Sequence, residues 1–123
     1  MTDKSVRSVS TEQLVHQFAE FALAQDKAEL NGNIGLINAL FDKIETIKAE
    51  LKSRPGDGRR ALVPLYDHPN AQVRLKAAKA TLALEPERAR QVLATIRERQ
   101  EQPQALDAGM TLRFLDDGTF KPT

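Results

Sequence analysis

From Ser10 onward, apolar residues recur every three or four positions, the spacing that lines one side of an α-helix. Leu14, Val15, Phe18, Phe21 and Ala22 form the first such side, and Glu12, Glu20 and Lys27 are left to water. Ser10 followed by Gln13 is a capping box, so the spacing predicts a helix from there to Glu29. Asn31-Gly32-Asn33 interrupts it: Gly32 can take a positive φ, and Asn33 can cap a second helix. Leu36, Ile37, Leu40, Phe41, Ile44, Ile47 and Leu51 cover one face of that helix, Ile34 to Lys52. Asp42, Lys43, Glu45, Lys48, Glu50 and Lys52 occupy the other. Two amphipathic helices joined by so short a loop predict an antiparallel hairpin. Ser53 to Gly58, SRPGDG, is the clearest break in the chain, yet it is too short for a domain linker.

The stretch Arg59 to Leu84 departs from one-sided patterning. After Asn70, Val73, Ala77, Ala80 and Leu84 fall on one stripe, and Leu75, Ala78 and Leu82 on roughly the opposite one. Lys76 and Lys79 occupy one flank, Arg74 and Thr81 the other. Two apolar faces predict a helix sandwiched between neighbours, and its alanines allow close approach. Asn70 is a good N-cap, and Pro69 disfavours helix at His68, so a shorter helix should end in the Asp67-His68-Pro69 turn. Because of Pro64, that preceding helix is short, begins near Arg60, or is kinked.

The segment LVPLYDHPNAQVRLKAAKATLAL resembles one HEAT repeat, with Leu62 and Leu65 on the first helix, Pro64 within it, Asp67 and Pro69 in the turn, and Val73-Arg74 and Ala77/Ala78 on the second. The resemblance implies that Asp67 and Arg74 are the turn acid and helix arginine that brace such repeats. The whole chain, including its ending DAGMTLRFLDDGTFKPT, is similar to a small bacterial family of single-domain proteins with no assigned function. That likeness implies an armadillo/HEAT-type all-helical fold and no activity.

Pro86 and Glu87 suit the first turn of a further helix. Its single apolar face, Ala89, Val92, Leu93 and Ile96, predicts an outer helix ended near Pro103. Residues 107–120 read two ways. Asp107 can cap a short helix with Gly118 as its C′ glycine, or Met110, Leu112 and Phe114 can alternate as a strand with Asp117-Gly118 as a hairpin turn. A short helix or irregular tail is preferred, because a lone hairpin has no sheet to join. In either case Met110, Leu112, Phe114, Leu115 and Phe120 should close an open end of the stack.

The expectation is an all-α, HEAT/armadillo-like right-handed stack of about five helices with a C-terminal capping segment. It forms one domain over residues 1–123, with 1–9 frayed and 105–123 as the cap. Aromatics are only 5% of residues, so aliphatics and alanine must carry the core. Cysteine is absent, which excludes disulfides and thiolate metal sites and fits a cytoplasmic protein. MTDKSVRSVS lacks the apolar core of a signal peptide, and no run approaches the ~20 apolar residues of a membrane span. The net charge of +1 hides a basic excess over residues 53–104.

Motif chemistry is thin. His16 and His68 read as solvent-facing or structural, and no zinc spacing, nucleophile elbow or glycine-rich phosphate loop is present. Asp116-Asp117 reads as part of a turn. The sequence therefore predicts no catalytic residue, no metal and no cofactor. The expected function is a non-catalytic protein-interaction module, monomer or weak homodimer, of which a toxin-neutralising or other regulatory protein is one variety. Arg74, Lys76, Lys79, Arg59 and Arg60 are the candidate contact residues, and Asp67, Pro69, Asn70 and Arg74 the structural ones. A basic face over residues 54–99, including Arg54, Arg88, Arg90, Arg97 and Arg99, offers a nucleic-acid alternative. The interleaved Glu85, Glu87, Glu98 and Glu101, and Tyr66 as the one nearby stacking ring, weigh against it.

Overall fold

A computed structural model describes residues 6–123. Helices α1 (Thr11–Leu30) and α2 (Ile34–Ser53) precede a 3-10 helix (Gly58–Asp67), which is followed by α3 (Ala71–Thr81), α4 (Pro86–Glu98) and α5 (Gln104–Asp116). No strand occurs among the described residues, and no helix there is long and apolar enough to cross a membrane. The chain divides into two compact units, Met1–Leu62 and Val63–Thr123.

The first unit is the α1/α2 hairpin. Ser10 accepts from the Gln13 N–H and Asn33 from the Leu36 N–H, so both expected caps are made. Gly32 turns the chain at φ 66°, a conformation costly for other residues. Leu14, Phe18, Ala22 and Ala28 of α1 and Leu40, Ile44, Ile47 and Leu51 of α2 form the buried seam. Each large side chain enclosed there contributes about 1.5–3 kcal/mol of transfer free energy. The seam is narrower than the apolar pattern of α2, since Leu36 and Phe41 are exposed. Gln25 is buried too and donates to the Ile37 carbonyl across the hairpin. Gly58 permits the close return after SRPGD, because a Cβ there would lie 2.8 Å from the Leu51 carbonyl oxygen.

The polar composition of residues 1–9 predicts fraying. Residues 1–5 lie outside the described residues, but Val6 to Val9 are held in place. Val6 is buried, and the Arg54 guanidinium binds the Val6 and Val9 carbonyls.

The second unit is built on α3, α4 and α5. Leu75, Ala78 and Leu82 meet Ala89, Leu93 and Ile96 of α4 and Ala108 and Leu112 of α5 in one cluster. Val73, Ala77 and Ala80 are buried as well, so α3 is covered on both of its apolar stripes. It ends at Thr81, short of Leu84: the Thr81 carbonyl accepts from both Leu84 and Glu85, and Pro86 starts the next helix. The segment around Pro64 is a 3-10 helix rather than a short α-helix. Its tighter winding accommodates a residue that has no N–H to give.

The tail is helical, and the hairpin alternative does not hold. Helix α5 begins at Gln104, so Asp107 lies within the first turn instead of capping it. Gly118 follows the helix at φ 79° with its N–H on the Leu115 carbonyl, the C′ role expected of it. Leu112 is buried and Leu115 partly so, but Met110, Phe114 and Phe120 are exposed. The apolar tail therefore covers the cluster with one side only.

Candidate functional site

The second unit carries a cleft of about 410 Å³ at the turn before α3, lined by Tyr66, Asp67, His68, Pro69 and Arg74, and by Gln91, Val92, Thr95 and Arg99 of α4 and its C-cap. The turn is built from local bonds. The Asn70 side chain accepts from the Gln72 and Val73 N–H groups, as a cap should. The Asn70 N–H donates to Nδ1 of His68 at 3.0 Å. That bond fixes the ring, and a neutral imidazole so placed carries its proton on Nε2.

Arg74 anchors this side of the cleft. Its Nε donates to the His68 carbonyl and one Nη2 hydrogen to the Pro69 carbonyl. Nη1 and Nη2 also grip the two carboxylate oxygens of Glu101 at 2.8 and 2.7 Å, a forked pair. Four of the five guanidinium N–H groups are thus engaged. The pair holds the Glu101 carboxyl below its ordinary value and raises Arg74 above its own, with burial opposing both shifts. The acid that braces Arg74 is therefore Glu101, beyond α4, rather than Asp67, which stays exposed at the cleft edge.

The opposite wall follows helical spacing along α4: Gln91 and Val92, then Thr95, then Arg99. The Arg88 guanidinium sits 5.7 Å from the centre of the Tyr66 ring and 3.6 Å from Glu85. Tyr66 is itself fixed by a hydrogen bond to Thr81. The Thr81 hydroxyl also lies 2.8 Å from the Ala77 carbonyl oxygen. Burial raises the Tyr66 phenol above its ordinary value, with the Thr81 bond acting the other way. The Arg99 side chain is exposed and forms no hydrogen bond or contact ion pair among the described residues, while its backbone N–H is on the Thr95 carbonyl; the guanidinium acts on Glu101 through space.

The predicted contact residues meet different fates. Arg74 is buried and committed internally, and Arg59 is buried with its guanidinium on Asp57 at 2.7 Å. Lys79 pairs with Asp107 of α5 at 2.9 Å. Lys76 is half-buried, and Arg60 is exposed. Within the wider basic set, Arg90 pairs with Asp116, and Arg54 with Glu50. His16 lies exposed on α1. No group of three or more metal-ligating side chains comes together among the described residues. The sequence did not single out the α4 wall, whose 91/92/95/99 spacing is one helical side that matters only because it faces the turn. Nothing local in the sequence pointed to Glu101.

The sequence matches the family described as Domain of unknown function (DUF2019) over residues 12–116. No curated protein matches the chain. Among solved structures, it is similar to the crystal structure of the protein RPA1889 from Rhodopseudomonas palustris CGA009, with 48% sequence identity and a TM-score of 0.94, over 96% of this chain and 98% of that one.

Proposed function

The chain belongs to the DUF2019 family, and we propose that it is a non-catalytic protein-interaction module whose cleft between the Asp67–Asn70 turn and α4 takes an acidic segment of a partner protein. The observation that carries this reading is the cleft's pairing of a fixed wall with an uncommitted cation. Arg74, His68 and Tyr66 are locked by internal bonds, so little side-chain entropy is lost when a ligand docks against them. Arg99, at the rim, has its guanidinium available for a forked carboxylate contact. Val92 supplies an apolar patch between the polar groups.

The frame we propose for this cleft is HEAT/armadillo-like. The Asp67-His68-Pro69 turn, the Asn70 cap and the alanine-rich α3 support it, with a 3-10 helix standing where such a pair has its first α-helix.

Affinity capture with the tagged full chain from its native lysate, with and without nuclease, tests the reading. A stoichiometric protein should survive nuclease, and Arg99→Glu should weaken its capture about tenfold by reversing the charge that meets it. A partner held equally by Arg99→Glu would remove the cleft from the account. Capture lost on nuclease treatment would move the function to nucleic acid.

A further inference from the structure

The cleft of the second unit carries two charges that the fold leaves unpaired. Of the ionisable side chains lining it, Tyr66 is bonded to Thr81, His68 accepts from the Asn70 N–H, and Arg74 is committed to Glu101. Asp67 and Arg99 remain. Both side chains are exposed, and neither forms a hydrogen bond or a contact ion pair among the described residues. They stand on opposite walls, Asp67 at the end of the 3-10 helix and Arg99 at the C-cap of α4. Arg88, the other cation near this wall, is held over the Tyr66 ring and beside Glu85.

This layout discriminates among acidic segments. A uniformly acidic one would satisfy Arg99 and set a like charge against Asp67, which costs affinity. A segment carrying both signs satisfies both walls. Extended backbone sends successive side chains to opposite sides, so neighbouring residues of a segment lying along the cleft reach opposite walls. An acidic residue directed at Arg99 then places a basic neighbour at Asp67. The neutral lining suits the backbone of such a segment. The Gln91 Nε2 to Thr95 Oγ1 contact is 3.5 Å, long for a hydrogen bond, so the amide and the hydroxyl keep their capacity for peptide groups. Val92 beside them takes an aliphatic side chain.

We infer that the partner segment carries an acidic and a basic residue side by side, the acid held by Arg99 and the base by Asp67, and that Asp67 selects against uniformly acidic partners. The inference rests on the reading of this cleft as the site of an acidic segment, and it adds the residue that sets the specificity of that site.

The test uses the full chain and two fluorescein-labelled peptides, read by fluorescence anisotropy. One peptide carries glutamate, lysine and leucine in succession between glycine and serine residues, and the other has glutamate in place of the lysine. The unaltered chain should bind the mixed peptide about fivefold more tightly, since an ion pair is gained and a repulsion lost at the rim. Asp67→Asn should bring the two peptides to equal affinity, and Asp67→Lys should reverse their order. The Asp67 side chain has no partner to lose, so both variants should keep the urea midpoint of the unaltered chain. Arg99→Gln should weaken both peptides. If neither peptide binds, or if Arg99→Gln leaves both unchanged, the cleft reading fails and takes this inference with it. If both bind through Arg99 with equal affinity, or if the preference for the mixed peptide persists in Asp67→Asn, the cleft reading stands and the role of Asp67 is overturned.

Discussion

Arg54 in the first unit and Arg74 in the second each engage four of the five guanidinium N–H groups, and each combines backbone carbonyls with one glutamate. They differ in which contact is local. Arg54 takes its glutamate from its own helix, four residues back, and reaches 45 and 48 residues away for carbonyls. Arg74 takes its carbonyls from the adjoining turn, five and six residues back, and reaches 27 residues away for Glu101. The long-range bond therefore has a neutral acceptor in one unit and is an ion pair in the other. The first ties Val6 and Val9 to the end of α2. The second ties the segment after α4 to the turn before α3, and removing either partner strands the other.

Arg74→Ala should break that symmetry most sharply. It leaves the Glu101 carboxylate without its partner and the turn carbonyls without donors, and should cost about 3 kcal/mol in urea unfolding. Arg74→Lys should recover only part of this, because an ammonium cannot fork onto both oxygens.

The same pair sets an acid dependence. Glu101 titrates below its ordinary 4.5 in the folded chain, chiefly through the Arg74 hydrogen bonds. Its contribution is fully present above that value and is lost as pH falls through the depressed folded one. Asp57, held below 3.8 chiefly by the Arg59 hydrogen bond, acts in the same direction. Urea midpoints should fall below about pH 4.5, and Arg74→Ala should flatten the Glu101 share of the slope.

Arg54→Ala should be milder, about 1.5 kcal/mol: it too strands a glutamate, Glu50, but its remaining acceptors are carbonyls and a hydroxyl that water can satisfy on release. Its clearer signature is faster trypsin cleavage at exposed Arg7, with the hairpin core intact. The caps give the smallest contrast. Asn70→Ala should cost about 1 kcal/mol and Ser10→Ala about half that, because Asn70 serves two N–H groups in a part-buried turn and Ser10 one at the surface.

The sequence was most informative where structure depends on neighbours within a helical turn. Ser10, Asn33, Asn70 and Pro86 mark helix starts because capping and proline chemistry act over two or three residues. The double-sided burial of α3 was legible for the same reason. What escaped was set by tertiary placement. Arg59 and Arg74 have the composition of surface cations, yet carboxylates and carbonyls draw them inside. The exposed side of α5, with Leu106 and Met110, looks like core by periodicity, and periodicity cannot say which face finds a neighbour. Arg99 was one of many basic residues until the turn was seen to face α4.

The most direct measurement is an NMR titration of the isotope-labelled full chain with a short peptide of glutamates around one leucine. The account predicts saturable shifts at His68, Gln91, Thr95 and Arg99, absent in Arg99→Glu, with Val6 and Arg54 unmoved. Shifts centred elsewhere, or a tighter response to duplex DNA than to the peptide, would contradict it.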